Sequence, residues 1–339
     1  MVALRRTLRR LVAAALYYSG ALWLYAAVKL RGKAVVLMYH RVLPAGADSF
    51  SHAGIVVTPE TFERHMKFFA RHFRLLDLDG FRGELDAGFG PRACLVTFDD
   101  GWQDNHRHAL PVLRRHRVPT TIFVATDYIG TGRTFWQERF TRLLYQATRH
   151  AGLADAVLAG LDALDLRALA DAPARERARA IVTTLKRAGD QARIDRLLGE
   201  LVTACEAARL DVPGDDRFMD WNEVRELTAG GLVTIGSHTH SHAILPALGY
   251  EGALAEFNRS LEVLREQGLP QPRECAYPNG IVDDAVARAA RDAGFTLAFA
   301  TRNRLVGHGD DRHRLRRINI HEQATATVPE LLCLITGVL

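Results

Sequence analysis

Thr97-Phe98-Asp99-Asp100-Gly101 closes the apolar run Ala93-Cys94-Leu95-Val96-Thr97-Phe98 with two adjacent carboxylates and a glycine. Neighbouring side chains on an extended backbone point to opposite sides, so the pair can divide two tasks between them, holding a metal ion and moving a proton. A turn with an Asx cap asks for the same residues. The balance changes with a second cluster, Ser237-His238-Thr239-His240-Ser241-His242, which follows the strand candidate 232–235. His238 and His242, four apart, would share one face of a helical turn. Two imidazoles and one carboxylate make a facial set for Zn2+, Fe2+ or a similar ion, with positions left for water and substrate. His240 would face away on such a turn and is left out of the set.

Together these motifs resemble the polysaccharide deacetylases, the NodB-homology group of carbohydrate esterases. Val36-Leu37-Met38-Tyr39-His40-Arg41-Val42 is similar to their first strand. Ala276-Tyr277-Pro278-Asn279-Gly280 is similar to their third motif and Arg316-Arg317-Ile318-Asn319-Ile320 to their last strand. The resemblance extends over residues 34–136 and 218–325. It implies a distorted (β/α) barrel of about seven strands and a hydrolase that removes N-acetyl groups from an amino sugar in a polysaccharide or lipid-linked glycan. Spacing does not say which aspartate does what; the resemblance gives Asp100, His238 and His242 the divalent ion, Zn2+ first, and makes Asp99 the general base. It places oxyanion stabilisation at the backbone near Tyr277 and the proton donor at His321, with His40 as the rival. Many relatives carry an arginine where Ala276 stands, and Arg317 or Arg316 is the expected replacement for its charge. Trp102, Pro278 and His40 are the expected sugar contacts, with Trp221 and Trp136 as further aromatic candidates. The same site could instead remove a formyl group from a lipid-linked amino sugar. A glycan-binding barrel without turnover and a metal phosphodiesterase are the readings from other classes.

A chain of 339 residues with 48% apolar content can form one large α/β domain or two smaller ones. The net charge of +5 is unevenly placed. Residues 1–33 carry seven basic side chains and no acidic one, leaving 37 basic against 39 acidic residues in the remainder. A basic nucleic-acid-binding face is therefore not expected. Residues 11–28 form an uncharged run with three tyrosines and a tryptophan between basic clusters. That composition suits a retained, membrane-associated helix, at a bacterial inner membrane and on its cytoplasmic side. A signal peptide cleaved near Ser19-Gly20-Ala21 and a helix docked on the barrel are the competing readings. Cys94, Cys205, Cys275 and Cys333 lack paired spacing and read as small core residues.

These side chains need a scaffold that gathers distant segments. Strand candidates at 35–39, 93–98, 120–124, 232–235, 274–277, 297–300 and 315–320 alternate with helical patterns at 59–73, 105–116, 221–228, 254–267 and 282–293. Such alternation predicts a parallel sheet. Asp99 and Asp100, His238, Tyr277 and His321 each follow the C-terminal end of a different strand, where β/α barrels build their sites. Residues 137–217 break the pattern with helical stretches at 161–169, 175–187 and 191–209, read as an inserted helical segment. Residues 326–339 are expected to form a C-terminal helix.

Overall fold

The computed structural model describes residues 2–147, 174–188, 191–208, 210 and 216–338. The expected helix at 161–169 lies outside them. Two compact units emerge. One comprises Met1–Ala45, Ala53–Gly132 and Phe218–Leu339; the other comprises Gly46–His52 and Arg133–Arg217.

The larger unit contains strands β1 (Lys33–Tyr39), β2 (Arg41–Val42), β3 (Val56–Val57), β4 (Arg74–Leu76), β5 (Ala93–Phe98), β6 (Thr120–Val124), β7 (Val233–Ser237), β8 (Glu274–Ala276), β9 (Leu297–Phe299), β10 (Val306–Gly307) and β11 (Ile318–Asn319). Along the main path, β1, β5, β6, β7, β8 and β9 are parallel neighbours. Leu315 bridges to Phe299, and β11 pairs in parallel with β1, so the segment 315–319 links the last strand to the first. That gives seven parallel strands, the expected number. β10 joins the edge of β1 antiparallel, and β4 pairs with the start of β5. β5 and β6 are buried at every position, as strands covered on both faces must be; β5 is apolar but for Thr97, while β6 opens on Thr120 and Thr121 before Ile122-Phe123-Val124. Gly236 is a packing requirement of the interior: a Cβ there would sit 2.4 Å from the Phe123 ring.

Some local boundaries depart from expectation. The stretch 105–116 is a π-helical turn, Asn105–Ala109, followed by the α-helix Leu110–His116. The Leu110 N–H reaches back five residues to Asn105 O, and Pro111 has no N–H to offer an ordinary ladder. The apolar N-terminal run is two helices, Val2–Tyr18 and Ala21–Lys29, because Gly20 adopts φ 82° and ends the first. They are bent by 81°, and among the described residues no single helix is long and apolar enough to cross a membrane; only the pair taken together passes by length and composition. Both helices pack on the C-terminal helix Val328–Thr336.

The smaller unit is helical, with Trp136–Ala147, Ala174–Ala188 and Gln191–Ala207 around a core that includes Phe140, Ile181, Leu197 and Leu201. It takes in Gly46–His52, a segment the sequence reading left with the barrel. The reason is Asp216, which is buried and accepts from the Ser49 hydroxyl (2.7 Å), the Phe50 N–H (2.9 Å) and Arg142 (2.8 Å). All four cysteines are buried thiols without disulfides.

Candidate active site

The Asp-Asp-Gly turn at the end of β5 is built by backbone geometry that few sequences allow. Asp100 adopts φ 76°, a left-handed conformation that aspartate tolerates better than most residues, and Gly101 follows at φ 87°. A Cβ on Gly101 would meet Ile129 and Val124 at 3.0 Å. The Asp99 N–H donates to Tyr39 O and the Ala125 N–H to Asp100 O, tying the turn to the ends of β1 and β6.

Asp99 is 3% exposed and lies against Arg317, which is fully buried. The guanidinium grips both carboxylate oxygens, Nη1 to Oδ1 at 2.6 Å and Nη2 to Oδ2 at 2.7 Å. Arg317 also donates to the Thr97 hydroxyl and to Ala300 O, and lies 5.6 Å above the Phe123 ring. Burial alone would raise the Asp99 pKa, but Arg317 outweighs it, with help from His238 and His40, and holds the group below its usual value. Arg316 instead points to Asp310, 3.7 Å away, on the outside. Of the two arginines proposed to replace the missing charge at Ala276, the structure brings Arg317 to Asp99.

Asp100 faces the histidines. Its Oδ1 lies 3.4 Å from His238 Nε2 and 3.5 Å from His242 Nε2. One ligand atom from each of the three falls within 4.8 Å of the others. His238 Nδ1 is 2.8 Å from Ala276 O, and a carbonyl only accepts, so Nδ1 carries the hydrogen. The neutral ring then turns the Nε2 lone pair toward a carboxylate oxygen. Two acceptors so placed need a cation or a proton between them, and the donor set of two imidazoles and a carboxylate suits a divalent ion. With a proton in that place, burial alone would raise the Asp100 pKa, but the bond from protonated His238 and the charges of His40 and His242 outweigh it and hold the carboxyl well below its usual range. Burial would lower the His238 pKa, but Asp99 and Asp100 outweigh it and hold it above its usual value.

The histidine loop is not a helical turn, as its spacing suggested. Residues 238–244 are irregular, with left-handed backbone at Thr239 (φ 65°) and His242 (φ 58°). Glu256 fastens the loop from the helix Leu245–Glu266, accepting from the His240 N–H (3.0 Å), the Ser241 N–H (2.8 Å) and the Ser241 hydroxyl (2.7 Å). His240 is turned away from the triad toward Thr126 Oγ1 at 3.0 Å, as expected.

Three expected site residues have other work. Trp102 is fully buried and cannot stack on a sugar; its Nε1–H donates to Asp100 Oδ2 at 2.8 Å while its ring lies flat against Phe218, 4.2 Å between centroids. Arg41 covers the other side at 4.1 Å and pairs with buried Asp104 at 2.9 Å. Tyr277 donates its N–H to Phe299 O and its hydroxyl to His313 O, so neither is available to an oxyanion. Pro278 is buried at the head of the turn Pro278–Gly280, packing where sugar contact was expected. His40 is brought to the site, with Nε2 4.0 Å from Asp99 Oδ2; burial lowers its pKa, outweighing Asp100 and Asp99. His321 stands after β11 as the cap of the short helix Glu322–Thr325. Sequence reasoning missed Arg41, Asp104, Glu256 and the Ala276 carbonyl. For Arg41 and Glu256 the signal was a charged residue inside or beside an apolar segment.

Comparison with known proteins places this geometry. Residues 87–298 match the model of the polysaccharide deacetylase family. The poly-beta-1,6-N-acetyl-D-glucosamine N-deacetylase of Staphylococcus epidermidis is 28% identical over 114 residues, 30% of this chain and 39% of that protein. YxkH of Bacillus subtilis, named as a polysaccharide deacetylase, is 28% identical over 114 residues, 33% of this chain and 38% of its own. The chain thus spans about two fifths of the length of these curated relatives. Among solved structures, IcaB from Ammonifex degensii superposes with a TM-score of 0.57 at 19% identity, covering 90% of this chain and 97% of that one. The Streptococcus pyogenes deacetylase PplD superposes with a TM-score of 0.57 at 16% identity, covering 90% and 98%. These last two show a shared fold. With the family model matched over more than half of its residues, the chain belongs to the polysaccharide deacetylase family.

Proposed function

We propose that this protein is a metal-dependent N-deacetylase of an amino sugar in a polysaccharide or lipid-linked glycan. The observation that carries the reading is the adjacency of two carboxylates with opposite partners. Asp99 is clamped by an arginine and Asp100 faces two histidines. A divalent cation held by Asp100, His238 and His242, with Zn2+ the first candidate, would supply an acidified water and polarise the amide carbonyl. Asp99, ionised at neutral pH, accepts the proton that the attacking water loses. Arg317 keeps that carboxylate aimed and charged through its two-pronged contact. The amide C–N bond breaks as the water oxygen becomes part of the released carboxylate, and the departing nitrogen takes a proton. His40 has the position to pass it on, since its Nε2 stands 4.0 Å from Oδ2 of Asp99, the group that takes the proton from water. The carboxylates are nearly sealed, so substrate approach is from the side of His40 and His242, 14% and 10% exposed.

The poly-N-acetylglucosamine deacetylase among the relatives supports an N-acetylated glycan as substrate. The test is a screen of acyl release by zinc-loaded protein against N-acetylglucosamine oligomers and N-formylated amino-sugar lipids. Acetate from the first class supports this reading. Formate from the second alone moves the substrate to a lipid-linked formamido sugar, and clear glycan binding without release from either overturns the enzyme assignment.

A further inference from the structure

We infer that the N-terminal helix pair is an in-plane anchor that seats this protein on an anionic lipid surface, not a span through it. Each helix has two faces. Ala13, Leu22, Ala26 and Leu30 are buried toward the body of the protein, and Trp23 lies 5.8 Å from Phe68 and 5.1 Å from His72. Arg10 pairs with Glu330 of the C-terminal helix at 3.2 Å, fixing the first helix from the same side.

The opposite faces are apolar as well. Leu8, Leu11, Val12 and Ala15 stand outward at helical spacing, and Ala21, Leu24, Tyr25 and Val28 repeat the same spacing on the second helix. Leu11 is 63% exposed, Leu24 74% and Val28 77%. A water-facing surface helix carries polar residues there; two consecutive helices with the rule inverted mark a surface built to be covered.

Charge selects the occupant. Residues 1–33 hold seven basic side chains and no acidic one. Arg10 is already paired with Glu330, and the segment keeps a net positive charge that a second copy of this chain, meeting it about a two-fold axis, would set against itself. An anionic headgroup layer meets both demands, apolar depth and negative charge. Spanning is disfavoured by length: the helices have 17 and 9 residues, roughly 26 and 14 Å, against a hydrocarbon core of about 30 Å. Two rods meeting at 81° do share one plane, which can lie in the interface. This inference is independent of the chemistry proposed above.

The test uses full-length Asp99→Asn protein, so that turnover plays no part, with vesicles of phosphatidylcholine alone or mixed with phosphatidylglycerol. The expected result is co-sedimentation with the anionic vesicles only, weakened by salt, and reduced about tenfold or more by Leu24→Glu or Leu11→Glu. Unfolding midpoints of the variants report that the fold survives. Cysteines introduced at Leu11, Tyr18 and Val28 and labelled with a fluorophore should all report the same shallow depth by quenching. A label at Tyr18 lying at the bilayer centre overturns the in-plane geometry. Equal binding to neutral and anionic vesicles, or a dimer in solution abolished by Leu24→Glu without vesicle binding, overturns the anionic surface as occupant.

Discussion

Arg317 and Asp99 lie 218 positions apart and meet in two parallel hydrogen bonds of 2.6 and 2.7 Å inside the barrel. The arginine stands in the segment that closes the ring, between Leu315, bridged to β9, and Ile318, paired with β1. The contact that clamps Asp99 is therefore also part of what joins the last strand to the first.

Removing Arg317 should raise the Asp99 pKa, because burial, which favours the protonated acid, is then unopposed by its main counter-charge. The acid limb of kcat/KM should move to higher pH in Arg317→Lys, which retains a charge but loses the fork, with kcat lower by about 10²-fold or more. Arg317→Ala should cost about 3–5 kcal/mol of stability, since it leaves a buried carboxylate uncompensated. An unchanged pH profile in Arg317→Lys would show that the pair is structural only.

Trp102 holds the outer oxygen of Asp100 and leaves Oδ1 to the histidines. Trp102→Phe keeps the stack on Phe218 and removes the donor. Zinc affinity measured by chelator competition should fall about 10–100-fold, while the unfolding midpoint changes little. Undiminished affinity would mean that the indole only packs.

His40 and His321 can be separated by substitution. His40→Gln should lower kcat by about 10²-fold or more with little change in KM, as loss of a proton donor does, whereas His321→Gln should stay near the parent. The reverse order would return the donor role to His321.

Buried His65 sits between the Tyr39 hydroxyl, 3.0 Å from Nδ1, and Thr325 O, 2.7 Å from Nε2. The carbonyl requires the hydrogen on Nε2, so the tyrosine donates to Nδ1 and the ring is neutral. Its pKa is lowered from 6.5 to about 4, chiefly by burial. Above pH 6.5 neither the folded nor the unfolded chain protonates this ring, and its neutrality carries no penalty. Between 6.5 and about 4 only the unfolded chain binds the proton, so stability falls as the pH drops, by up to roughly 3 kcal/mol, and levels off below. Urea midpoints across that range should fall less steeply for His65→Gln. Parallel losses in both proteins would place the acid sensitivity elsewhere.

The two motifs were legible in sequence because their residue types are chemically costly to place at strand ends without a use. The barrel was legible because parallel strands buried on both faces are written as nearly continuous apolar runs, β1 and β5 above all. What was not legible depended on direction. Trp102 follows the aspartates in sequence, yet the left-handed turn at Asp100 folds its indole back onto the carboxylate. Tyr277 has the right neighbours, but β9 already takes its N–H. The His238–His242 spacing suggested a helix, while Glu256, fourteen residues beyond His242, ties the loop into another shape. The break at Gly20 was present as Ser19-Gly20 in the apolar run, but composition alone does not show a left-handed glycine.

The most direct measurement of the central claim is made on Asp99→Asn protein loaded with zinc. If Asp100, His238 and His242 hold the ion and Asp99 handles the proton, the variant should bind about one equivalent with affinity close to the parent's, yet release acetate from N-acetylglucosamine oligomers at least about 10²-fold more slowly. Full turnover by that variant, or zinc binding that disappears with Asp99 and persists in His238→Ala and His242→Ala, would contradict the account.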